Sequence, residues 1–402
     1  MWIMVSMILG AQIGCDFPEI GVKLRVLSLI FLRLIKTIIA PLLFSTLVVG
    51  ISGHSDIKQI GRMGIRALIF FEVATTFALF IGLGAINFTK AGVGIKLPPL
   101  PAGEQIQVKK QNLQDIILHI FPENIGKSVV DGEVLQIVVF SVLFGIGLAT
   151  LAPARKRPML EFAESLAETM FRFTKIIMYF APVGVGAAIA YTVGNMGLGI
   201  LLNLFKLLAT LYLALTLFVV LVLLPIAWFT GVPIRKLFNA ILEPISIAFA
   251  TTSSEAALPR AMESLEELGV PRHIVAFVMP TGYSFNLAGT TLYLSLASIF
   301  VAQAAGIEMS TTQQLVMALT LMLTSKGVAG VPRASLVILL GTAASFNLPT
   351  EPIFIILGID ELMDMARSAV NVIGNCLATV VIAIWEGEFP IHRHGLPIAA
   401  HE

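Results

Sequence analysis

The sequence predicts an all-α integral membrane protein. Hydrophobic residues make up 57% of the 402 and charged residues only 13%. A soluble domain carries about 25% charged residues, so there are too few charges here for an aqueous surface. Mean hydropathy is +0.91, and lipid must cover much of the outside. Apolar segments near the length of a bilayer span, about 20 residues, follow one another with basic punctuation. A net charge of +1 argues against nucleic acid as a partner.

Taken in order, the segments predict helices at about 1–15, 24–52, 62–90, 126–152, 159–192 and 197–230. The first run, Met1 to Gly14, lacks a basic leader and a small-residue cleavage site, so it reads as a trimmed first helix rather than a secretory signal. A Ser/Thr-rich stretch follows at about 245–259. Further apolar runs lie at about 274–304, 311–346 (interrupted) and 353–386. Lys58, Arg62 and Arg66 follow the second span, Arg155, Lys156 and Arg157 the fourth, and Arg235 and Lys236 the sixth. With Arg393 in the tail, these basic loops share one side if both termini are cytoplasmic. The long 92–125 loop, with Lys96, Lys109 and Lys110, then lies outside. Cys15 and Cys376 are far apart in apolar surroundings and read as two inert buried thiols. The six histidines are scattered, and His392-Arg393-His394 in the tail reads as solvated rather than metal-binding. No phosphate-cradling glycine loop occurs, and no histidine stands near Ser253 or Ser254 in sequence, so neither an ATPase nor a serine hydrolase is expected.

Two later segments are broken by small and polar residues: Thr251-Thr252-Ser253-Ser254-Glu255-Ala256-Ala257-Leu258-Pro259 and Ser325-Lys326-Gly327-Val328-Ala329-Gly330-Val331-Pro332. Irregular backbone at membrane depth is tolerated only where it is buried in protein or lines a cavity. Two interrupted segments, each followed by an apolar helix, mark a repeat with a binding site near the midplane.

The last run carries a polar stripe. Asp360, Asp364, Arg367 or Ser368, Asn371 and Asn375 recur at spacings of three and four and share one helix face, opposite Leu362, Met365, Ala366, Ala369, Val370, Val372 and Ile373. A charged residue at that depth costs about 2.5–3.5 kcal/mol on insertion scales. Asp364 suits an ammonium, and the bidentate fork of Arg367 suits a carboxylate. Asn371 and Ser368 add neutral hydrogen bonds. The face, set on a water-reached pocket, complements glutamate or aspartate; the alternative is a structural ion pair between helices.

Nearly the whole chain resembles the dicarboxylate/amino acid:cation symporter family, prokaryotic type. The resemblance rests on Ser253-Ser254-Glu255 with Leu258-Pro259, on Pro280-Thr281-Gly282-Tyr283-Ser284-Phe285-Asn286-Leu287-Ala288-Gly289-Thr290-Thr291-Leu292-Tyr293, on Ser325-Lys326-Gly327 through Pro332, and on the last-helix stripe. It implies a glutamate-transporter-like fold of eight transmembrane helices and two re-entrant helical hairpins, assembled as a homotrimer in the cell inner membrane and working as an elevator. A scaffold of residues 1–57 and 93–195 would hold helices one, two, four and five. A transport domain of residues 58–92 and 196–402 would hold helices three and six, the hairpins (about 240–270 and 312–347) and the last two helices. By resemblance, Ser253 and Ser254 form the first hairpin tip, Ser254 meeting substrate through its backbone. Gly330 and Val331 form the second tip, the gate. Thr290 and Arg367 match the partners of the side-chain carboxylate, Asp364 that of the amino group and Asn371 that of the main-chain carboxylate. Ser368 keeps the hydroxyl of a usual threonine. Neutral amino acid members lack the arginine, and four-carbon dicarboxylate members have serine in place of Asp364. The resemblance therefore implies a symporter of acidic amino acids rather than an enzyme, with a C4-dicarboxylate symporter or a sodium-coupled acidic amino acid transporter as the alternative and a channel or receptor as a further reading.

The coupling ion departs from the sodium pattern. Sodium-coupled relatives read Asn-Met-Asp-Gly-Thr where this chain reads Asn286-Leu287-Ala288-Gly289-Thr290. Phe71 and Ala74 stand where that site uses a tyrosine and a threonine, and Thr75 alone keeps a hydroxyl. Asn375 replaces the aspartate of a second sodium site. A cation buried without a carboxylate is left largely uncompensated, so proton coupling without sodium is expected. A third site built from backbone carbonyls near Ser325 stays open. Glu72, Glu255 and Asp360 are the candidate proton carriers, since Leu294 replaces the proton-carrying glutamate of animal relatives.

Overall fold

The structure, a computed structural model, describes residues 2–52, 57–95, 121–131, 134–324, 334–346 and 348–389. All its elements are helical. The chain opens with α1 (Trp2–Asp16), α2 (Pro18–Lys23) and α3 (Arg25–Ser52), followed by α4 (Ile57–Thr89). Next come α5 (Ile125–Asp131), α6 (Val134–Ala149), α7 (Pro153–Met178) and α8 (Ala181–Met196). Helix α9 (Ile200–Phe218) passes through one wide π-turn, Val219–Leu223, into α10 (Leu224–Thr230). Pro225 lies just past that turn; it has no backbone N–H to give to the preceding turn. Gly231, at φ +77°, stops α10 in the left-handed region open to glycine.

The remaining helices are α11 (Ile234–Thr251), α12 (Ser254–Glu267), α13 (Arg272–Phe285), α14 (Ala288–Ala304), α15 (Thr311–Thr324), α16 (Ala334–Ser345), α17 (Glu351–Leu357) and α18 (Asp360–Trp385). Among the described residues four helical stretches are long and apolar enough to cross a membrane: Met63–Thr89, Ile200–Thr230, Arg272–Ala304 and Asp360–Trp385. The pair Pro153–Ile177 and Ala181–Met196, bent by 52°, would make a fifth.

Three predicted runs are broken where the sequence suggested continuity. The 159–192 run splits into α7 and α8, because Pro182, in the first turn of α8, has no N–H to give to the Met178 carbonyl four residues back and its ring crowds that carbonyl. The 274–304 run splits at Asn286 and Leu287, whose backbone leaves the helical region at φ −125° and −98°. The 353–386 run splits at Gly358 and Ile359, where an added Cβ on Gly358 would stand 2.5 Å from the Ile189 side chain. Cys376 is buried as expected, but Cys15 is exposed on α1; both thiols are free.

Two sets of helices pack among themselves. In the first, α1 and α2 lie on α8, and α3 packs on α6, α7 and α8. The approach of α1 and α2 to α8 needs glycine, since a Cβ at Gly14 or Gly21 would stand 2.6 Å from the Ala190 carbonyl oxygen. In the second, α4 packs on α14 and α9, while α18 gathers α11, α13, α14, α12 and α9 around itself. Nearly every residue of α14 and α18 is buried. The functional candidates therefore sit where the second set is densest.

Candidate functional site

Helix α18 holds the polar stripe inward, and burial dictates how its charges are satisfied. Asp360, Arg367 and Asn375 are 0% exposed and Asp364 6%. A guanidinium taken out of water needs close anionic partners. Arg367 Nη2 lies 2.9 Å from Asp364 Oδ1 and 3.3 Å from Asp360 Oδ1. Its Cζ stands 3.8 Å over the centre of the Tyr293 ring on α14, a cation–π contact. The Tyr293 hydroxyl donates to Asp360 Oδ1 at 3.2 Å. Among the described residues two carboxylates and one aromatic face surround Arg367. Arg367 Nε and Nη1 and Asp360 Oδ2 meet no hydrogen-bond partner among the described residues.

The break before α14 supplies the neutral half of the site. The first turn of a helix leaves amide N–H groups without intrahelical acceptors. Asn371 fills that need: its Oδ1 accepts from Gly289 N at 2.9 Å and Thr290 N at 3.4 Å, and its Nδ2 donates to Thr290 Oγ1 at 3.0 Å. A Cβ on Gly289 would stand 2.6 Å from the Arg367 carbonyl oxygen, so glycine is what lets α14 begin against α18. Thr290 and Asn371 are thus brought together, one helical turn from Arg367.

The first hairpin tip reaches the same helix. Thr252 turns the chain in the left-handed region at φ +54°. Ser253 then caps α12 by accepting from Ala256 N at 3.3 Å. Ser254, buried, donates its hydroxyl to the Ser368 carbonyl oxygen at 3.4 Å. Ser254 is thereby brought to Ser368, the residue after Arg367, and Ser253 caps the helix that carries Ser254. Gly330 and Val331, the expected second tip, lie outside the described residues, and so does the Glu255 side chain.

The positions compared with sodium sites form a separate buried group. Asn286 Nδ2 donates to Asn375 Oδ1 at 2.9 Å, leaving Asn286 Oδ1 and Asn375 Nδ2 with no hydrogen-bond partner among the described residues. A Cβ on Gly282 would meet Asn375 Oδ1 at 2.6 Å and the Phe71 ring at 3.5 Å, which puts α4, α13 and α18 around one point. Phe71 and Ala74 are buried, and Thr75 donates back to the Phe71 carbonyl at 2.7 Å. Ala288 is buried and offers no oxygen from its side chain. No carboxylate belongs to this group of residues. Glu72, a candidate proton carrier, is half-buried on α4, and Leu294 is fully buried.

Sequence reasoning missed one member. Tyr293 appeared only as the end of a motif, yet its ring and hydroxyl tie Arg367 to Asp360. The available signal was the buried cation itself, which calls for an aromatic or anionic neighbour on a facing helix.

The chain matches the profile of the sodium:dicarboxylate symporter family over residues 1–385. It is 44% identical over 369 residues to the proton/glutamate-aspartate symporter of Escherichia coli (strain K12), covering 90% of this chain and 84% of that protein. It is 41% identical to the proton/sodium-glutamate symport protein of Bacillus caldotenax, covering 96% of this chain and 94% of that protein. The C4-dicarboxylate transport protein of Laribacter hongkongensis (strain HLHK9) is also 41% identical, with 96% and 88% covered.

Proposed function

The chain belongs to the sodium:dicarboxylate symporter family, and from that premise we propose that it is a secondary active symporter of L-glutamate and L-aspartate, driven by protons and independent of sodium. The observation that carries this reading is the Asp364–Arg367 pair, 2.9 Å apart, beside the broken start of α14 and the tip of the first hairpin. A substrate ammonium replaces Arg367 as the partner of Asp364. The substrate side-chain carboxylate takes the Arg367 fork, whose Nε and Nη1 are unengaged among the described residues. Thr290 and Asn371 add hydrogen bonds, while Ser254, Gly330 and Val331 supply the tips of the two hairpins.

Charge balance supports symport. Two carboxyl groups, Asp360 and Asp364, already face the single guanidinium of Arg367. An acidic amino acid brings a net negative charge at neutral pH. A buried charge without a counter-charge is costly, and a proton or cation moving with the substrate relieves that cost. Asp360, Glu72 and Glu255 are the proton carriers proposed. The Asn286–Asn375 group offers only neutral oxygens, which favours protons over sodium at that place. The names of the relatives in Escherichia coli and Bacillus caldotenax agree on protons and glutamate, and the second also names sodium. The name of the Laribacter relative favours a four-carbon dicarboxylate as the second reading. Asp364 argues against it, since a dicarboxylate has no ammonium to pair.

The two packing sets support the division into a scaffold (1–57 and 93–195) and a transport domain (58–92 and 196–402). In this reading the domain slides as an elevator within a homotrimer in the inner membrane, with both termini cytoplasmic, and the protein is a carrier rather than an enzyme. The test is a thermal-shift screen of L-glutamate, L-aspartate and succinate with and without sodium at two pH values. The amino acids should stabilise without sodium; stabilisation by succinate alone, or a strict sodium requirement, would contradict the reading.

A further inference from the structure

The surface where α10 turns into α11 has the chemistry of a lipid headgroup site. The apolar stretch 200–230 ends in Trp228 and Phe229, 63% and 78% exposed, with ring centres 4.8 Å apart. Gly231 then reverses the chain, and α11 begins with Arg235 and Lys236, both exposed. Helix α11 is sided. Leu237, Ile241, Pro244 and Ala248 face the protein interior. Phe238, Leu242 and Phe249, at spacings of four and seven, form an exposed apolar stripe. Arg235 lies three and seven residues before Phe238 and Leu242, so it heads that stripe. Neither Arg235 nor Lys236 has a carboxylate partner among the described residues. The one acidic side chain of α11, Glu243, pairs with Arg260 on α12 at 2.9 Å.

An aromatic pair at the end of an apolar span marks the level of the bilayer interface. A cation at the head of an apolar stripe places its stem along acyl chains and its charge among headgroups. We propose that Trp228, Phe229, Arg235 and Lys236 form a binding site for an anionic phospholipid, its acyl chain lying along Phe238, Leu242 and Phe249. This inference rests on the reading that the chain spans a membrane. A basic residue near an anionic surface is worth roughly fivefold in local occupancy, so the two together should enrich anionic lipid over zwitterionic lipid by up to about 25-fold.

The test uses the full chain with Trp2→Phe and Trp385→Phe, which leaves Trp228 as the sole indole. The protein is reconstituted in phosphatidylcholine containing the same fraction of brominated phosphatidylglycerol or brominated phosphatidylcholine. Brominated phosphatidylglycerol should quench Trp228 more strongly, and Arg235→Gln with Lys236→Gln should bring the two lipids to equality. Equal quenching in the charge-intact chain would overturn the proposal without needing the charge variant to fold. Selectivity that survives the charge substitutions would overturn it too. No quenching by either lipid would overturn both the site and the membrane placement of this span.

Discussion

Replacing Asp364 with asparagine separates the two substrate classes. The substitution keeps the shape of the side chain and removes its charge. In the structure Asp364 Oδ1 is 2.9 Å from Arg367 Nη2 and the residue is 6% exposed, so its charge acts in a medium of low screening. Arg367 retains Asp360 at 3.3 Å and the Tyr293 ring. The guanidinium is therefore not stranded, and the fold should lose less than the roughly 3–5 kcal/mol seen when a buried charge loses its only partner. The substrate ammonium, by contrast, loses its single anionic partner. A hydrogen bond to a charged group is worth about 1.5–3 kcal/mol, which is about 10- to 150-fold in affinity at 1.4 kcal/mol per decade. Competition against labelled L-glutamate, read by calorimetry or uptake, should show that loss for L-glutamate and L-aspartate and none for succinate. Unchanged glutamate affinity, or an equal loss for all three compounds in a variant that melts normally, would refute the assignment of Asp364 to the ammonium.

Other perturbations follow from the same geometry. Arg367→Lys keeps a positive charge between Asp360 and Asp364 but loses the planar fork, so acidic amino acid affinity should fall at least tenfold, about 1.4 kcal/mol, in the same competition assay. Gly289→Ala forces a methyl to 2.6 Å from the Arg367 carbonyl; overpacking of this kind costs about 1–3 kcal/mol and should appear as a lowered melting temperature together with weaker substrate binding. Ala288→Asp with Asn375→Asp places two carboxylates in the buried Asn286–Asn375 group, where unpaired charge is costly. Sodium should then raise the melting temperature of that variant and leave the parent chain unmoved.

The stripe on α18 was readable because polar residues at a helical period stand out sharply in an apolar run: Asp360, Asp364, Arg367, Asn371 and Asn375 can only point one way. The hairpin at Thr252–Ser253 was equally plain, since Ser and Thr there compete with the helix for backbone hydrogen bonds. The break at Asn286–Leu287 was not, because the nearest breakers, Pro280 and Gly282, are both carried inside α13 and neither marks the place where the helix ends. Its cause is distant: Asn371, 82 residues away from Gly289, supplies the acceptor that stabilises a new helix start. The inward fold of Arg367 was hidden for a similar reason. Opposite charges one turn apart predict a pair, but only α14 packed against α18 brings in the Tyr293 ring and gives Asp360 a second donor. The exposure of Cys15 depends on which face of α1 the glycines press against α8, a tertiary choice that local hydropathy does not encode.

The most direct measurement is uptake of labelled L-glutamate into proteoliposomes containing the purified chain. An inward proton gradient in sodium-free buffer should drive accumulation above the external concentration, and a sodium gradient at uniform pH should add nothing. Accumulation that appears only with sodium, or equilibration without accumulation under either gradient, would contradict proton-driven symport.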